Sequence, residues 1–262
     1  MTTISDLIAY VERLTEHPLN NDEWLFNGNR DRRINGVTAC WMASPDAIRA
    51  AGEAGHELLI GHESLFFPYN APKAPNLPKG WETWQTNRQR RELLEAYDTA
   101  FLRLHGSVDE ICIFNDFADL LELGEPIVAE GFVKVFEIPP TPLADLVAHV
   151  KTCLAMLAVR VSITEGMNQI VHRVGLPWGG LGLFVNVRYQ QSLIEQGCDV
   201  FIAGETDNYG FRFSQEVGIP MIETSHELSE NPGLRRFTGM LQSAFPEVSF
   251  SFYENPCVWR TE

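Results

Sequence analysis

The sequence predicts an α/β fold: two interlinked α/β units with mixed, largely parallel sheets. Three observations carry that reading. Short apolar runs of strand length alternate with amphipathic segments of helical period. Several of the helical segments close on a glycine. The alternation occurs twice, on either side of a loop-rich middle. The 262 residues suffice to bury a core without disulfides or a structural metal. With 45% hydrophobic and 21% charged residues, the composition is not that of a disordered, collagenous or coiled-coil chain.

The elements follow in order. Ile4, Leu7, Ile8, Val11 and Leu14 share one helical face, and Thr3 with Asp6 predicts a capped start. After a turn-rich stretch, 20–36, VTACWM (37–42) reads as a buried strand. Ser44-Pro45 predicts an N-cap with proline at the first helical position, AIRAAGEAG a helix closed by Gly55, and HELLIGHE (56–63) the next strand. Residues 69–80 are proline-rich loop. Residues 87–105 predict one long helix with a solvated basic start, and 111–121 a short one.

A second unit starts near residue 126. GFVKVFEI (131–138) alternates as a strand, Thr141-Pro142 caps the helix LADLVAHVKTCLAMLA, and 159–163 and 171–177 read as strands. Gly179-Gly180-Leu181-Gly182 follows. Then come a helix ending at Gly197, the strand DVFIAG, the helix FRFSQEVG, the strand IPMIET, a last helix over 234–245 and a last strand, VSFSFYE. AGHELLIGHE and QGCDVFIAGE echo each other weakly, through Gly55/Gly197, Ile60/Ile202 and Glu63/Glu205. In both, polar groups follow the carboxyl end of a strand, where α/β sheets bind ligands.

Net charge is −15, from 20 Lys+Arg against 35 Asp+Glu. That balance disfavours binding to nucleic-acid phosphate or to anionic membranes. No run approaches the roughly 18–20 uncharged apolar residues that span a bilayer. The first stretch has no basic region and carries Asp6 and Glu12, so it does not read as a signal peptide. Cys40, Cys112, Cys153, Cys198 and Cys257 are odd in number and include no CxxC. They read as reduced thiols of a cytoplasmic protein and argue against a cysteine-based zinc site or a disulfide framework.

Three clusters carry metal-ligand residue types: Gly61-His62-Glu63, His105 to Asp109, and Ser225-His226 to Glu230. Each ends an apolar segment. The four-residue spacing of His226 and Glu230 lets both side chains point one way on a helix. Imidazoles with carboxylates suit Zn, Mn, Fe, Co or Ni. Taken singly, each has an ordinary structural reading: a surface pair, a helix cap at Asp109, a core histidine. The case rests on all three together.

On these motifs the chain resembles the NIF-three-like dinuclear-metal hexamer family, whose members are often labelled GTP cyclohydrolase I type 2 homologues. His62-Glu63-Ser64-Leu65-Phe66-Phe67 stands at the family's His-His-Pro-Leu-Phe-Phe. His105-Gly106-Ser107-Val108-Asp109 stands at His-Thr-Asn-Leu-Asp, with Asn115 at the downstream Asn. Ser225-His226-Glu227-Leu228-Ser229-Glu230 stands at Gly-His-x-x-Thr-Glu. Gly179–Gly182 and Asp199–Glu205 match as well, and the order holds from about residue 4 to 245.

The resemblance implies metal ligands at His62, Asp109, His226 and Glu230, with Glu63 in place of the family's second His. It implies one or two divalent ions, Mn, Fe or Zn, in the cleft between the two units, and a hexameric homo-oligomer of the short form. Glu63, Asp109 and Glu230 would set three negative charges against two divalent ions, which a bridging hydroxide would balance. An oxygen donor at position 63 shifts preference toward Mn, Fe or Mg. Alternatively Glu63 points away and one ion binds.

Tyr209 replaces a family His and is a poor base near neutrality. His105 is the acid/base candidate or the support of a ligating carboxylate, and Glu205 a base or a structural residue. Gly179, Gly180 and Gly182 form either a phosphate-binding loop or a tight turn. Because the third motif must join the first two, the first unit is read as 1–125 plus 222–262 and the second as 126–221.

The function expected is that of a metal-dependent hydrolase acting on a small, nucleotide-like substrate. The alternative is a non-enzymatic metal-binding assembly or regulatory protein. A third reading is a metal-free α/β binding domain.

Overall fold

In the computed structural model, residues 1–162, 164–256 and 258–259 are described. In chain order the helices are α1 (Ile4–Thr15), α2 (Pro45–Glu53), α3 (Gln85–Ala96), the single turn α4 (Gly106–Val108), α5 (Phe114–Leu120), α6 (Leu143–Cys153), α7 (Val187–Glu195), α8 (Asn208–Glu216) and α9 (His226–Ala244). The strands are β1 (Leu25–Phe26), β2 (Gly36–Cys40), β3 (Leu58–Gly61), β4 (Ala100–Arg103), β5 (Pro126–Glu130), β6 (Val133–Pro142), β7 (Arg160–Val161), β8 (Ile170–Gly175), β9 (Val200–Ala203), β10 (Met221–Glu223) and β11 (Ser249–Tyr253). The chain divides into unit 1, Met1–Cys112 with Gly233–Cys257, and unit 2, Ile113–Pro232 with Val258–Glu262.

Unit 1 is built on a sheet ordered β1-β4-β3-β2-β11. Pairings among β4, β3, β2 and β11 are parallel, and β1 closes one edge antiparallel. Every residue of β2, β3 and β4 is buried, as expected of parallel strands covered on both faces. The capping box forms as written: Thr3 Oγ1 accepts from Asp6 N–H at 3.2 Å and Asp6 Oδ2 accepts from Thr3 N–H at 2.8 Å. The α1 face buries Ile4, Leu7, Ile8, Val11 and Thr15, while Leu14 is 38% exposed. Ser44 Oγ accepts from Ala47 N–H at 3.2 Å, with Pro45 as the first residue of α2.

The long helix expected over 87–105 is two elements. The helix α3 stops at Ala96, Asp98 takes a left-handed φ of 49°, and Ala100–Arg103 is the strand β4. Helical periodicity cannot be told from a four-residue buried strand that follows it without a glycine or proline between.

Unit 2 holds a sheet ordered β5-β6-β8-β9-β10-β7. Its inner strands β8, β9 and β10 are parallel, and the β5–β6, β6–β8 and β10–β7 pairs are antiparallel. Thr141 does not cap α6; its hydroxyl donates to the Pro139 carbonyl at 2.6 Å, and Pro142 occupies the N-cap. That helix ends at Cys153, where Ala155 turns left-handed at φ 52°. β7 is two residues long, and the end of the strand expected there, at Ile163, lies outside the described residues.

The last helix begins at His226, eight residues before its expected start, with Pro232 inside it. An internal proline costs about 3 kcal/mol. On either side of it the apolar Leu234 and Phe237 and the polar Ser229, Glu230 and Asn231 are buried, and the burial of the two apolar side chains favours the helix. No disulfide joins the described cysteines; Cys40, Cys112 and Cys198 are buried and Cys153 half-buried, while Cys257 lies outside the described residues. Among the described residues no helix is long and apolar enough to cross a membrane.

Candidate metal centre

In unit 1, β3 and β4 are parallel neighbours, so the residues after each strand emerge at one end of the sheet. His62 and Glu63 follow β3, and His105 and Asp109 follow β4. Ligand atoms of His62, Glu63 and His105 lie within 4.8 Å of one another. The His62 and His105 rings are 4.7 Å apart at 45°. His62 is wholly buried, and its Nδ1 donates to the Leu104 carbonyl at 3.1 Å. A carbonyl only accepts, so Nδ1 carries the proton of the neutral ring and Nε2 the lone pair. That Nε2 lies 3.8 Å from Asp109 Oδ1.

This loop pair is tied down from the turn-rich segment near the amino terminus. Glu23 accepts from the N–H groups of His105 and Ser107 at 2.7 and 3.0 Å and from Ser107 Oγ at 2.7 Å. Asp22 Oδ2 lies 3.0 Å from His105 Nδ1. That hydrogen bond, with the charge of Arg103, holds the Asp22 carboxyl below its ordinary range. Arg103, the last residue of β4, is wholly buried. Its guanidinium is satisfied by the His62 carbonyl at 3.2 Å, Asn70 Oδ1 at 2.6 Å, Tyr69 Oη at 3.2 Å and Asp22 Oδ2 at 3.3 Å. A buried cation requires such compensation.

In unit 2 the same logic recurs on the parallel run β8-β9-β10. Gly179 follows β8, Glu205 follows β9 and His226 follows β10. His226 and Glu230 stand one turn apart on α9, with Nε2 3.3 Å from Glu230 Oε1. His226 Nδ1 is 3.0 Å from Glu205 Oε2. With a proton on Nδ1, the Nε2 lone pair of a neutral ring faces a carboxylate oxygen. Two electron-rich atoms at that distance call for a proton or a metal ion between them.

The glycine loop makes room for this pair. Gly179 has φ 51°, and a Cβ there would stand 2.1 Å from Glu230 Oε1 and 3.2 Å from His226 Nε2. A Cβ on Gly180 would meet His226 Cε1 at 3.3 Å, and one on Gly182 the Glu205 carbonyl oxygen at 2.5 Å. Gly179 also donates to Ser229 Oγ at 2.9 Å and accepts from Glu205 N–H at 2.7 Å. Tyr209 sits in the first turn of α8, 70% exposed, its ring 5.7 Å from that of Phe184. Asn115, in α5, accepts from Lys134 Nζ at 2.9 Å.

Within unit 1 the fold therefore gathers His62, Glu63, His105 and Asp109. Within unit 2 it gathers Glu205, His226 and Glu230 around Gly179 and Gly180. Sequence reasoning missed Asp22, Glu23 and Arg103. Asp22 acts on a residue 83 positions away, and no local pattern links the two. The single hint was an acidic pair inside a turn-rich stretch. The donor sets fit a divalent cation: imidazoles of His62 and His226 whose Nδ1 is held by an outer partner, carboxylates beside their Nε2, and a glycine loop that a Cβ would fill.

Imidazoles and carboxylates gathered at the carboxyl ends of parallel strands define an α/β protein with candidate metal-ligand sets. The chain belongs to the Duf34/NIF3 (NGG1p interacting factor 3) family, whose model matches residues 2–256. It is 24% identical over 232 residues to a GTP cyclohydrolase 1 type 2 homolog of Neisseria meningitidis serogroup A, covering 85% of each chain. It is 22% identical over 242 residues to a protein of the same description from Clostridium perfringens, covering 88% of each. In fold it is similar to a Bacillus cereus protein related to NIF3, with a TM-score of 0.78 at 13% identity over 99% of both chains.

Proposed function

We propose that this protein binds one or two divalent metal ions, Mn, Fe or Zn, and uses them as a hydrolase on a small, nucleotide-like substrate. The observation that supports this most directly is the orientation of two imidazoles, the wholly buried His62 and the partly buried His226. The Nδ1 of His62 is committed to the Leu104 carbonyl and that of His226 to Glu205, which leaves each Nε2 beside a carboxylate, Asp109 and Glu230. This is how proteins prepare histidine for a metal: one nitrogen is held by an outer partner and the other donates. Glu63 adds a further oxygen donor within the His62–His105 group.

When bound, a divalent ion would polarise a substrate C=O, C=N or P=O group and lower the pKa of a coordinated water. The protein's own residues supply the rest. Asp22 orients His105 through Nδ1, presenting Nε2 for proton transfer. Glu205 steadies His226. The glycine loop lets Glu230 approach without a side chain in the way. Tyr209, exposed beside Phe184, would contact or donate a proton to substrate rather than act as a base.

The nucleotide-like substrate rests on the descriptions of the Neisseria and Clostridium relatives. The hexamer implied by the family resemblance and the cytoplasmic location expected from the sequence belong to the same proposal. Elemental mass spectrometry on protein purified without chelator tests it. A loss of about two equivalents per chain in Asp109→Ala, with a fall in Glu63→Ala as well, supports a dinuclear centre with Glu63 as a ligand. A loss of about one equivalent, in Asp109→Ala alone, reduces it to a mononuclear one. Metal content unchanged in both variants, or no metal even after incubation with each candidate ion, overturns the reading.

A further inference from the structure

Unit 2 carries a second gathering of ligand-type side chains that the family motifs do not include. His149 and Cys153 stand four residues apart at the end of α6, on one face. Glu122 follows the end of α5 in a left-handed conformation, φ 58°. His149 Nε2 is the common vertex. It lies 3.4 Å from Cys153 Sγ, 3.9 Å from Glu122 Oε2 and 2.9 Å from the Leu121 carbonyl oxygen. Ligand atoms of the three side chains lie within 4.8 Å of one another. A tetrahedral zinc with Zn–S of about 2.3 Å and Zn–N of about 2.0–2.1 Å has an S···N edge of about 3.6 Å, close to the edge already present.

We propose that Glu122, His149 and Cys153 form a second metal site, selective for Zn2+ or another borderline-soft divalent cation. Thiolate and imidazole donors exclude Mg2+ and Ca2+ and favour zinc-like ions. Two helix C-termini, of α5 and α6, end here, and their dipoles favour a cation. Binding breaks the S–H and forms the metal–sulfur bond, releasing that proton to solvent. The ring proton moves from Nε2 to Nδ1, so that Nε2 becomes the donor. The absence of a CxxC pattern argued against any cysteine site. The fold supplies instead one carboxylate 27 and 31 positions upstream of its two partners, a separation that no local motif encodes.

The test is a Co2+ titration of the full-length protein, reading the near-ultraviolet sulfur-to-cobalt charge-transfer band. The ligands proposed for the main centre are all nitrogen and oxygen, so they contribute nothing to that band, and failure of one site is distinguishable from failure of the other. Cys40, Cys112 and Cys198 are buried, and burial pushes the Cys198 thiol up to about 12. The expected result is a band whose final amplitude corresponds to one thiolate-bound Co2+ per chain, abolished in Cys153→Ser and retained in Cys257→Ser. His149→Ala should weaken affinity by at least tenfold, since even outer-shell partners cost roughly 10–100-fold. Glu122→Gln, at an exposed position that does not threaten folding, should keep the band and weaken binding. No band in the parent protein, a band surviving Cys153→Ser, or one lost in Cys257→Ser overturns the proposal.

Discussion

The Asp22–His105 contact joins two residues that no motif would pair, and it makes a prediction at the scale of single side chains. Asp22 is a carboxylate held below its ordinary value of 3.8, chiefly by the hydrogen bond from His105. A group whose pKa is depressed on folding stabilises the protein above its ordinary pKa, and that contribution is lost as pH falls through the folded value. Asp22→Asn should therefore cost roughly 1.5–3 kcal/mol near neutrality, the value of a hydrogen bond to a charged group. It should also flatten the fall in stability below about pH 4. Urea melts across pH 2–7 check both; an unchanged acid limb would show that the contact contributes nothing. Gly179→Ala is the second prediction at this scale. A left-handed alanine costs about 1–2 kcal/mol, and its Cβ would stand 2.1 Å from Glu230 Oε1. The variant should lose stability by more than the conformational cost alone and should lose metal content together with it. Full metal content in a folded Gly179→Ala protein would separate the glycine loop from the site.

Among elements, α2 was legible almost to the residue because its signals are local. Ser44 accepts from Ala47 N–H, Pro45 opens the helix, and Gly55 turns left-handed after it. Ser44→Ala should cost about 1 kcal/mol, the usual value of a cap. The same change removes an acceptor for Asn255 Nδ2 at 3.3 Å. A urea midpoint shifted at constant slope is the expected reading; no shift would mean that Asn255 or solvent replaces the bond. Two of the misread elements share one cause. The strand β4 carries no start signal of its own, and the first turns of α9 only a weak one, the Leu228 N–H donating to Ser225 Oγ at 3.5 Å. β4 is a strand because its residues pair with β3, Leu58 opposite Ala100. The start of α9 is helical despite an internal proline at Pro232. β4 leads into the segment that carries His105 and Asp109, and α9 carries His226 and Glu230, whose four-residue spacing places them one helical turn apart.

For the whole molecule, the proposed metal binding would be linked to stability. An ion bound only by the folded chain adds about 2.7 kcal/mol when present at 100 times its Kd. In a chain of this size 1 kcal/mol corresponds to a few degrees. Chelation should then lower the thermal midpoint by several degrees, and added Mn2+ or Zn2+ should restore it. An unchanged midpoint in chelator, with metal shown to be removed, would make the ions peripheral to the fold. Sedimentation in the same samples reads the proposed hexamer. Each copy carries −15, so an assembly of copies should be favoured by added salt, which screens like charges.

What the sequence determined by itself is what local chemistry can encode. Several caps and glycine stops, most of the strand-length apolar runs and the three motifs of ligand-type residues were readable, and with them the α/β class and the family. What only the tertiary structure decided is which distant groups meet. Asp22 and Glu23 organise the His105 loop, Arg103 is buried beneath it, Gly179 clears space for Glu230, and Glu122 joins His149 and Cys153. A side chain's partner across dozens of residues is set by strand order and register rather than by its neighbours in the chain. The chemistry of a site can therefore be spelled in short motifs, while the groups that orient it appear only once the sheet is assembled.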